Sequence, residues 1–229
     1  MFRIHRKWAA IAAGVAVLGL ILTSGATKAK ADQISFDLGL GNTAISGYTG
    51  PYATVTVTWV DATHATITFT SLTNDGNIYL LGDGGSVAVN VNATSWTLGS
   101  ISGSNAGTGF SPGPWSNGGA GNEDGFGSFN QTINSFGGFT SSSDTITFYL
   151  TNTSGTWASA SDVLTANASG YEAAAHIFVT SDPADASNGA LATGYATNGT
   201  PVPEPATLSL LGAGLLALAG AARRRLFRG

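Results

Sequence analysis

The chain has 229 residues, a length that suits one domain with targeting segments, and 43% of its residues are hydrophobic. All nine Lys and Arg residues lie outside positions 32–222, whereas all 13 Asp and Glu residues lie inside them, which gives this stretch a formal charge of −13. A region without cations cannot neutralise phosphates, hold a nucleotide with a P-loop lysine or form a Schiff base, which excludes nucleic-acid binding and several enzyme classes. The absence of cysteine excludes disulfides, thiolate catalysis and cysteine-ligated zinc.

The first 31 residues have the pattern of a signal peptide. Three basic residues within the first seven form a positive segment, and an apolar run of 15 residues follows at 8–22. Small residues then precede a cleavage position between Ala31 and Asp32. Because the apolar run is short for a membrane span of about 20 residues, we expect segment 1–31 to be removed on export.

Residues 32–200 are predicted to form one all-β domain. Several runs place Val, Ile, Phe or Trp on one face and Thr, Ser or Asn on the other, which is the period-2 pattern of half-buried antiparallel strands. These runs are 53–59, 65–70, 86–91 and 145–150. Frequent Gly, Asn and Asp turns between them favour an antiparallel β-sandwich with a jelly-roll-like arrangement.

Three further elements are predicted in this domain. The glycine-rich turn at 82–85 indicates a hairpin that joins strands at 78–81 and 87–91. A late strand is expected at 176–180, and a short helix at 162–168.

The stretch 99–138 differs from the rest because it is rich in Gly, Ser and Asn. It predicts long loops with one or two short strands around residues 125–130. Trp115 lies between Pro114 and Asn117 in this stretch, and we expect it to be the exposed tryptophan of the domain. An exposed aromatic ring beside amide side chains suits stacking on a sugar ring, so Trp115 is a candidate carbohydrate contact.

Four acidic residues in Gly- and Asn-rich turns are candidate calcium ligands. They are Asp75, Asp83, Glu123 and Asp124. Carboxylate and carbonyl oxygens can converge in such turns, and a domain without cations would gain from a divalent ion. No complete EF-hand loop is present, so these acids could equally serve to solvate turns. No other cofactor is indicated.

No catalytic residue is predicted. His64 and His176 are the only histidines of the domain, and no Gly-x-Ser-x-Gly elbow accompanies them. His64 is expected in a turn, and His176 is expected to be a structural residue. The adjacent pair Glu123 and Asp124, with Glu172 elsewhere, leaves open a carboxylate-based glycoside-acting enzyme, since such enzymes need two carboxyl groups at a defined separation.

Residues 201–229 form three segments in order. Val202, Pro203, Glu204 and Pro205 come first, and an uncharged, mostly apolar stretch follows at 206–222. As a helix, this stretch would cover roughly 25 Å, the lower limit for a membrane span. A basic cluster closes the chain and is expected to stay cytoplasmic by the positive-inside rule. Its members are Arg223, Arg224, Arg225 and Arg228.

This three-part layout closely resembles the PEP-CTERM sorting domain of Gram-negative bacteria. The resemblance implies recognition by an exosortase at the inner membrane, followed by release or transfer to the cell surface. It also implies an association with exopolysaccharide and biofilm. We therefore expect an exported, non-enzymatic cell-surface or extracellular-matrix protein, with a secreted polysaccharide-binding module as an alternative. Self-association is left open, because the edge strands have no lysine to block pairing with another chain.

Overall fold

The computed structural model describes residues 32–199 and shows an all-β domain of 13 antiparallel strands. The strands are β1 (Asp32–Leu38), β2 (Leu40–Gly41), β3 (Ala53–Trp59), β4 (His64–Ser71), β5 (Thr73–Asn74), β6 (Asn77–Leu81), β7 (Asp83–Val89), β8 (Trp96–Ser104), β9 (Ser116–Glu123), β10 (Gly127–Ser135), β11 (Thr145–Asn152), β12 (Ala173–Ser181) and β13 (Ala192–Thr197). Short 3-10 turns occur at Thr43–Ile45, Phe139–Ser141, Ala160–Asp162 and Ala186–Asn188. The expected signal peptide (1–31) and the expected membrane span (206–222) lie outside the described residues.

The strands form two sheets. The five-stranded sheet has the order β1-β3-β4-β11-β8. The eight-stranded sheet has the order β2-β13-β12-β7-β10-β9, with β6 paired to β12 and β5 paired to β6. Thirteen strands exceed the eight of a simple jelly roll. Within residues 32–199, no helix has the length and apolar character needed to cross a membrane.

The main core lies between the two sheets. Val55, Ile67 and Phe148 of the five-stranded sheet belong to the same buried cluster as Val87 and Ile177 of the eight-stranded sheet. All five side chains are fully buried. Burying a side chain of this size is worth roughly 1.5–3 kcal/mol, so the core stabilises the sandwich without disulfides or a network of ion pairs.

The alternating runs are confirmed as strands. In β3, Ala53, Val55 and Val57 are buried, whereas the intervening threonines are partly exposed. β4 and β11 alternate in the same way. Run 86–91 corresponds to β7, which begins three residues earlier than predicted, and the late strand corresponds to β12.

The predicted hairpin at 78–91 is wrong. β6 pairs antiparallel with residues 177–181 of β12, and β7 pairs antiparallel with residues 173–175 of the same strand. Both therefore run in the same direction along β12, one after the other, and Gly82 separates them. A Cβ at Gly82 would approach the Phe178 ring to 2.8 Å, so glycine allows the chain to pass this aromatic side chain closely.

Two further corrections concern the remaining chain. The predicted loops at 99–138 contain most of β8 and all of β9, which pair into the sheets, and the strand predicted around 125–130 corresponds to the start of the longer β10. The predicted helix at 162–168 is reduced to the 3-10 turn Ala160–Asp162, followed by extended chain. Leu164 forms a bridge to Val91, and this pairing holds the segment in an extended form.

Candidate functional site

The outer face of the eight-stranded sheet is covered by loops and contains the most perturbed titratable groups of the described domain. Phe126 and Phe129 pack there on Ala88 and Ala174, and a neighbouring cluster forms around Phe178. Both faces of this sheet are therefore buried over much of its area. A polar side chain on the covered face loses its hydration and needs partners inside the protein.

Glu123 ends β9 on this covered face and is only 1% exposed. Its Oε2 atom has no hydrogen-bond partner within the described residues. Its carboxyl group lies against the backbone of Gly85, where a Cβ atom would collide with both carboxylate oxygens. Burial raises the pKa of Glu123 to about 8, so the carboxyl group is mainly protonated at neutral pH.

Tyr195 and His176 stack on each other across β13 and β12, beside this acid. Their ring centroids are 4.5 Å apart with an interplanar angle of 14°. The Tyr195 hydroxyl donates to the carbonyl of Gly84 at 3.3 Å. Burial raises the pKa of Tyr195 to about 12, and the nearby carboxyl groups of Glu123, Asp83 and Asp124 contribute in the same direction.

The environment of His176 favours the neutral imidazole. Its Nε2 atom is 2.6 Å from the Thr193 hydroxyl oxygen, whereas its buried Nδ1 atom has no hydrogen-bond partner in residues 32–199. Burial lowers the pKa of His176, and this effect outweighs the opposing influence of the Asp83 carboxylate. The His176 ring lies as a partly buried imidazole against Phe178 and Tyr195, and its structural role stays a prediction.

His64 and His176 lie on different sheets and neither is held against a serine in the described part of the chain. The Nδ1 atom of His64 is 2.9 Å from Asp61 Oδ1 in the turn that precedes β4, and both side chains are about half exposed. Hydrogen bonds from the Thr63 backbone and from His64 lower the pKa of Asp61 to about 2. This contact between the His64 ring and the Asp61 carboxylate stabilises a turn and provides no nucleophile.

Of the four candidate calcium ligands, one lies apart from the other three. Asp75 lies in the β5–β6 turn, whereas Asp83, Glu123 and Asp124 all lie near Tyr195. The Asp124 carboxylate accepts a hydrogen bond from the Asn42 amide at 3.2 Å. Among residues 32–199, no three His, Asp or Glu side chains are grouped closely enough to hold a metal ion. Calcium binding stays a prediction.

The expected exposure of Trp115 is wrong. Its side chain is partly buried against the main core, and its indole Nε1 is buried without a partner in the described residues. The indole fits there because Gly103 lacks a side chain, since a Cβ atom at that position would approach Trp115 Cζ2 to 2.6 Å. The carbohydrate contact itself stays a prediction.

Two clefts open on the surface of the domain. One, of about 490 Å³, is lined by uncharged residues from the segments that follow β7 and β11, together with Asn130 of β10. The other, of about 360 Å³, includes Asp144 and Asp182 above apolar Ile78 and Leu80. Glu123 and His176 line neither cleft. The most perturbed groups therefore lie apart from both of these spaces.

Sequence reasoning did not find the buried state of Glu123 or the two clefts. β9 contains no large apolar residue, so its sequence gives no periodic signal for the face that is buried. The clefts combine segments that are more than 60 residues apart in sequence, such as Asn90 and Asn152.

These features define an all-β antiparallel domain in which the perturbed acid and histidine pack against neighbouring residues. The comparison with protein families adds the sorting signal: residues 201–225 match the PEP-CTERM protein-sorting motif. The chain therefore carries the signal of an exosortase substrate, which indicates export with a membrane-anchored sorting segment. Neither a curated protein nor a solved structure matches the chain.

The residues of the sorting motif lie outside the described part of the chain. The matched range includes Val202, Pro203, Glu204 and Pro205 and extends to Arg225. Their assignment rests on the sequence pattern and on the family comparison. The cleavage position between Ala31 and Asp32 and the cytoplasmic role of Arg223, Arg224, Arg225 and Arg228 stay predictions.

Proposed function

We propose that the protein is a non-enzymatic component of the cell surface or extracellular matrix, delivered by an exosortase and associated there with exopolysaccharide. The signal peptide at 1–31 and the membrane-spanning segment at 206–222 are part of this proposal. Both would hold the precursor at the inner membrane until processing. The sorting motif at 201–225 supports the exosortase step.

The partition of charge supports an extracellular role. Once both ends have been removed, the remaining chain has no Lys or Arg, because these residues lie only at positions 3–30 and 223–228. An acidic protein of this kind stays soluble through self-repulsion and does not bind polyanions. It is suited to a matrix of neutral polymers.

The single observation that carries the non-enzymatic part is the position of Glu123. This carboxyl group has the raised pKa expected of a general acid, about 8. Its side chain is nevertheless 1% exposed, contacts Gly85 and lines neither of the two clefts. A general acid has to reach the atom that it protonates, and Glu123 has no such access.

Fractionation of the native host with mass spectrometry of the mature protein tests the proposed sorting. Trypsin cuts after Lys or Arg, so the precursor gives one large fragment from Ala31 to Arg223. We expect both ends of this fragment to be shortened in the surface or extracellular fraction. An unshortened fragment that remains in the inner membrane would contradict the proposal. Glu204→Ala should retain the precursor in the membrane, whereas Thr207→Ala should be processed normally.

The alternative, a polysaccharide-binding module or a carboxylate-based glycoside-acting enzyme, is favoured by one observation. Asp144 and Asp182 line the same cleft. Asp144 already accepts from the Ser104 hydroxyl and from the backbone N–H of Ala106, each at 2.8 Å, which suits a residue that fixes a loop. Release of new reducing ends from host polysaccharide by the purified protein, abolished by Asp182→Asn, would establish the enzyme. We expect no release.

A further inference from the structure

The larger cleft, of about 490 Å³, has a lining without any charged residue. It lies between the segment after β7, the segment after β11 and the β10 residue Asn130. The lining is dominated by amides and hydroxyls, with Val91 and Ala93 as its largest apolar members. Its volume falls within the range of about 300–1,000 Å³ that is usual for small-molecule sites.

The backbone around the cleft is held by side-chain amides, which fix the positions of the lining groups. Asn130 Nδ2 donates to the Val91 carbonyl at 2.9 Å, while its Oδ1 accepts from the Val91 N–H at 2.7 Å. Asn92 Nδ2 donates to the Asp162 carbonyl at 2.9 Å. Asn152 Oδ1 accepts from the Ser154 N–H at 3.1 Å. The walls are therefore preorganised without a ligand.

Several polar groups of the lining are left without partners in residues 32–199. Asn152 Nδ2 remains as a donor and Asn92 Oδ1 remains as an acceptor. The hydroxyls of Thr94 and Thr156 are exposed at the cleft and form no hydrogen bond in the described domain, and they can donate as well as accept. The cleft thus offers both hydrogen-bonding roles in an uncharged setting.

This combination selects the chemistry of a ligand. An anion would find no cation, since the sequence has none between positions 32 and 222. A cation would lose hydration without meeting a carboxylate in the lining. An apolar ligand would leave the amides unpaired. A hydroxyl group both donates and accepts, so a neutral polyhydroxylated molecule meets all of these requirements.

We propose that this cleft binds a neutral saccharide unit, with Asn92, Thr94, Asn152 and Thr156 as the groups that hydrogen-bond its hydroxyls. The inference rests on the proposed association with polysaccharide for its biological setting, and it names the ligand class and the surface responsible. It differs from the expected contact at Trp115, because the cleft contains no aromatic residue.

Isothermal titration of the purified full chain in detergent tests this site with four probes. These are maltohexaose, cellohexaose and mannohexaose as neutral hexasaccharides, and hexagalacturonate as an anionic one. We expect at least one neutral probe to bind and the anionic probe not to bind. The double variant Thr94→Val/Thr156→Val should weaken binding about tenfold, because two neutral hydrogen bonds are lost.

The matched control is the double variant Thr70→Val/Thr145→Val on the outer face of the five-stranded sheet. These two residues are cross-strand partners, and their hydroxyls form no hydrogen bond within the described domain. The control should bind as the unmodified protein does.

Three results would overturn the proposal: no neutral probe binds, hexagalacturonate binds equally well, or the cleft variant binds as tightly as its control. Titration of the purified chain does not depend on sorting, so failure here leaves the exosortase step untouched. Failure of processing in the host would leave the cleft untouched in turn.

Discussion

The outer faces of the two sheets differ in what covers them. Threonines cover the face of the five-stranded sheet, in register across three strands, with Thr56 opposite Thr68 and Thr68 opposite Thr147. Hydroxyls of Thr68 and Thr147 lie 3.0 Å apart. On the eight-stranded sheet, loops and aromatic side chains cover the corresponding face. One sheet therefore presents hydroxyls to solvent, whereas the other is buried on both sides.

This difference explains where each sheet keeps its polar groups. A face in contact with water tolerates threonine at little cost, and cross-strand hydroxyl pairs add a small stabilisation. A covered face has no water to hydrate Glu123 or His176, so burial shifts the pKa of each toward the neutral form. On the open face, the alternation of apolar and polar residues is enough to organise the sheet. On the covered face, packing alone produces pKa shifts of the size found in active sites.

Adjacent residues of β11 provide the largest test of this contrast. Phe148 is fully buried in the main core, and Tyr149 is 48% exposed on the open face. Phe148→Ala should lower the free energy of unfolding by about 3–5 kcal/mol, because it removes a core ring and leaves a cavity. Tyr149→Ala should cost less than about 1 kcal/mol. Urea denaturation measures both, and equal losses would mean that β11 does not separate core from solvent.

The covered face also predicts a dependence of stability on pH. The pKa of Glu123 is raised from 4.5 to about 8, so between these values the folded state holds a proton that the unfolded state has lost. Stability should therefore fall as pH rises through this window, by on the order of 3 kcal/mol. The lowered pKa of His176 acts in the opposite direction just below its ordinary value of 6.5.

Glu123→Gln should remove most of this fall, because glutamine stays neutral at both ends of the window. Thermal unfolding at pH 5 and pH 8 measures the change. Asp124→Asn is the matched control, since Asp124 is the exposed neighbour in the chain. If Glu123→Gln retains the full dependence on pH, the slope arises from another group.

The contact between Gly85 and Glu123 can be isolated with two glycines. Gly85 has φ +62° and Gly189 has φ +73°, and a side chain at Gly189 would meet nothing within 4 Å. Alanine at either position bears the strain of the left-handed region, about 1–2 kcal/mol. Gly85→Ala should cost a further 1–3 kcal/mol through overpacking against the carboxyl group.

Chemical denaturation of both glycine variants measures this difference. The added cost at Gly85 should disappear in the Glu123→Ala background, where the colliding carboxyl group is absent. An added cost that persists there would place the strain elsewhere in β7.

Two threonines give the smallest expected effects. Thr197 is fully buried in the eight-stranded sheet and donates to the Ala173 carbonyl at 2.6 Å. Thr197→Val should cost about 1–3 kcal/mol, because the carbonyl loses its buried donor. Thr68→Val on the open face should change the free energy of unfolding by no more than about 0.5 kcal/mol. Thermal unfolding measures the loss of stability in both variants. Equal losses would mean that the two faces are equally hydrated, which would contradict the contrast.

The strands predicted with the clearest pattern belong to the five-stranded sheet, while β7 and β12 of the eight-stranded sheet are predicted with shifted ends. β3, β4 and β11 bury every second residue, so their sequences report both the element and its inward face. β9 could not be predicted, because it lacks large apolar residues. β10 is predicted only in part, by the short strand around 125–130, and its pairing with β9 contains register shifts near Thr132. Such irregularities remove the period on which the prediction depends.

The candidate sites also divide into features that the sequence could predict and features that it could not. Sequence singled out Glu123 as a carboxylate of interest but gave no indication that it is buried against Gly85. It proposed Trp115 as the exposed ring, although this indole packs on the core. The uncharged cleft joins segments around Asn92 and Asn152, which become neighbours only through the pairing of distant strands.

The sequence by itself determined the all-β class, the separation of charges and the sorting motif at 201–225, since periodicity, composition and short motifs are local properties of a chain. Only the tertiary structure decided that β6 and β7 follow each other along β12, that Glu123 is dehydrated and that the uncharged cleft exists. These features depend on which distant segments come together and exclude water, and that outcome is settled by the packing of the two sheets as a whole.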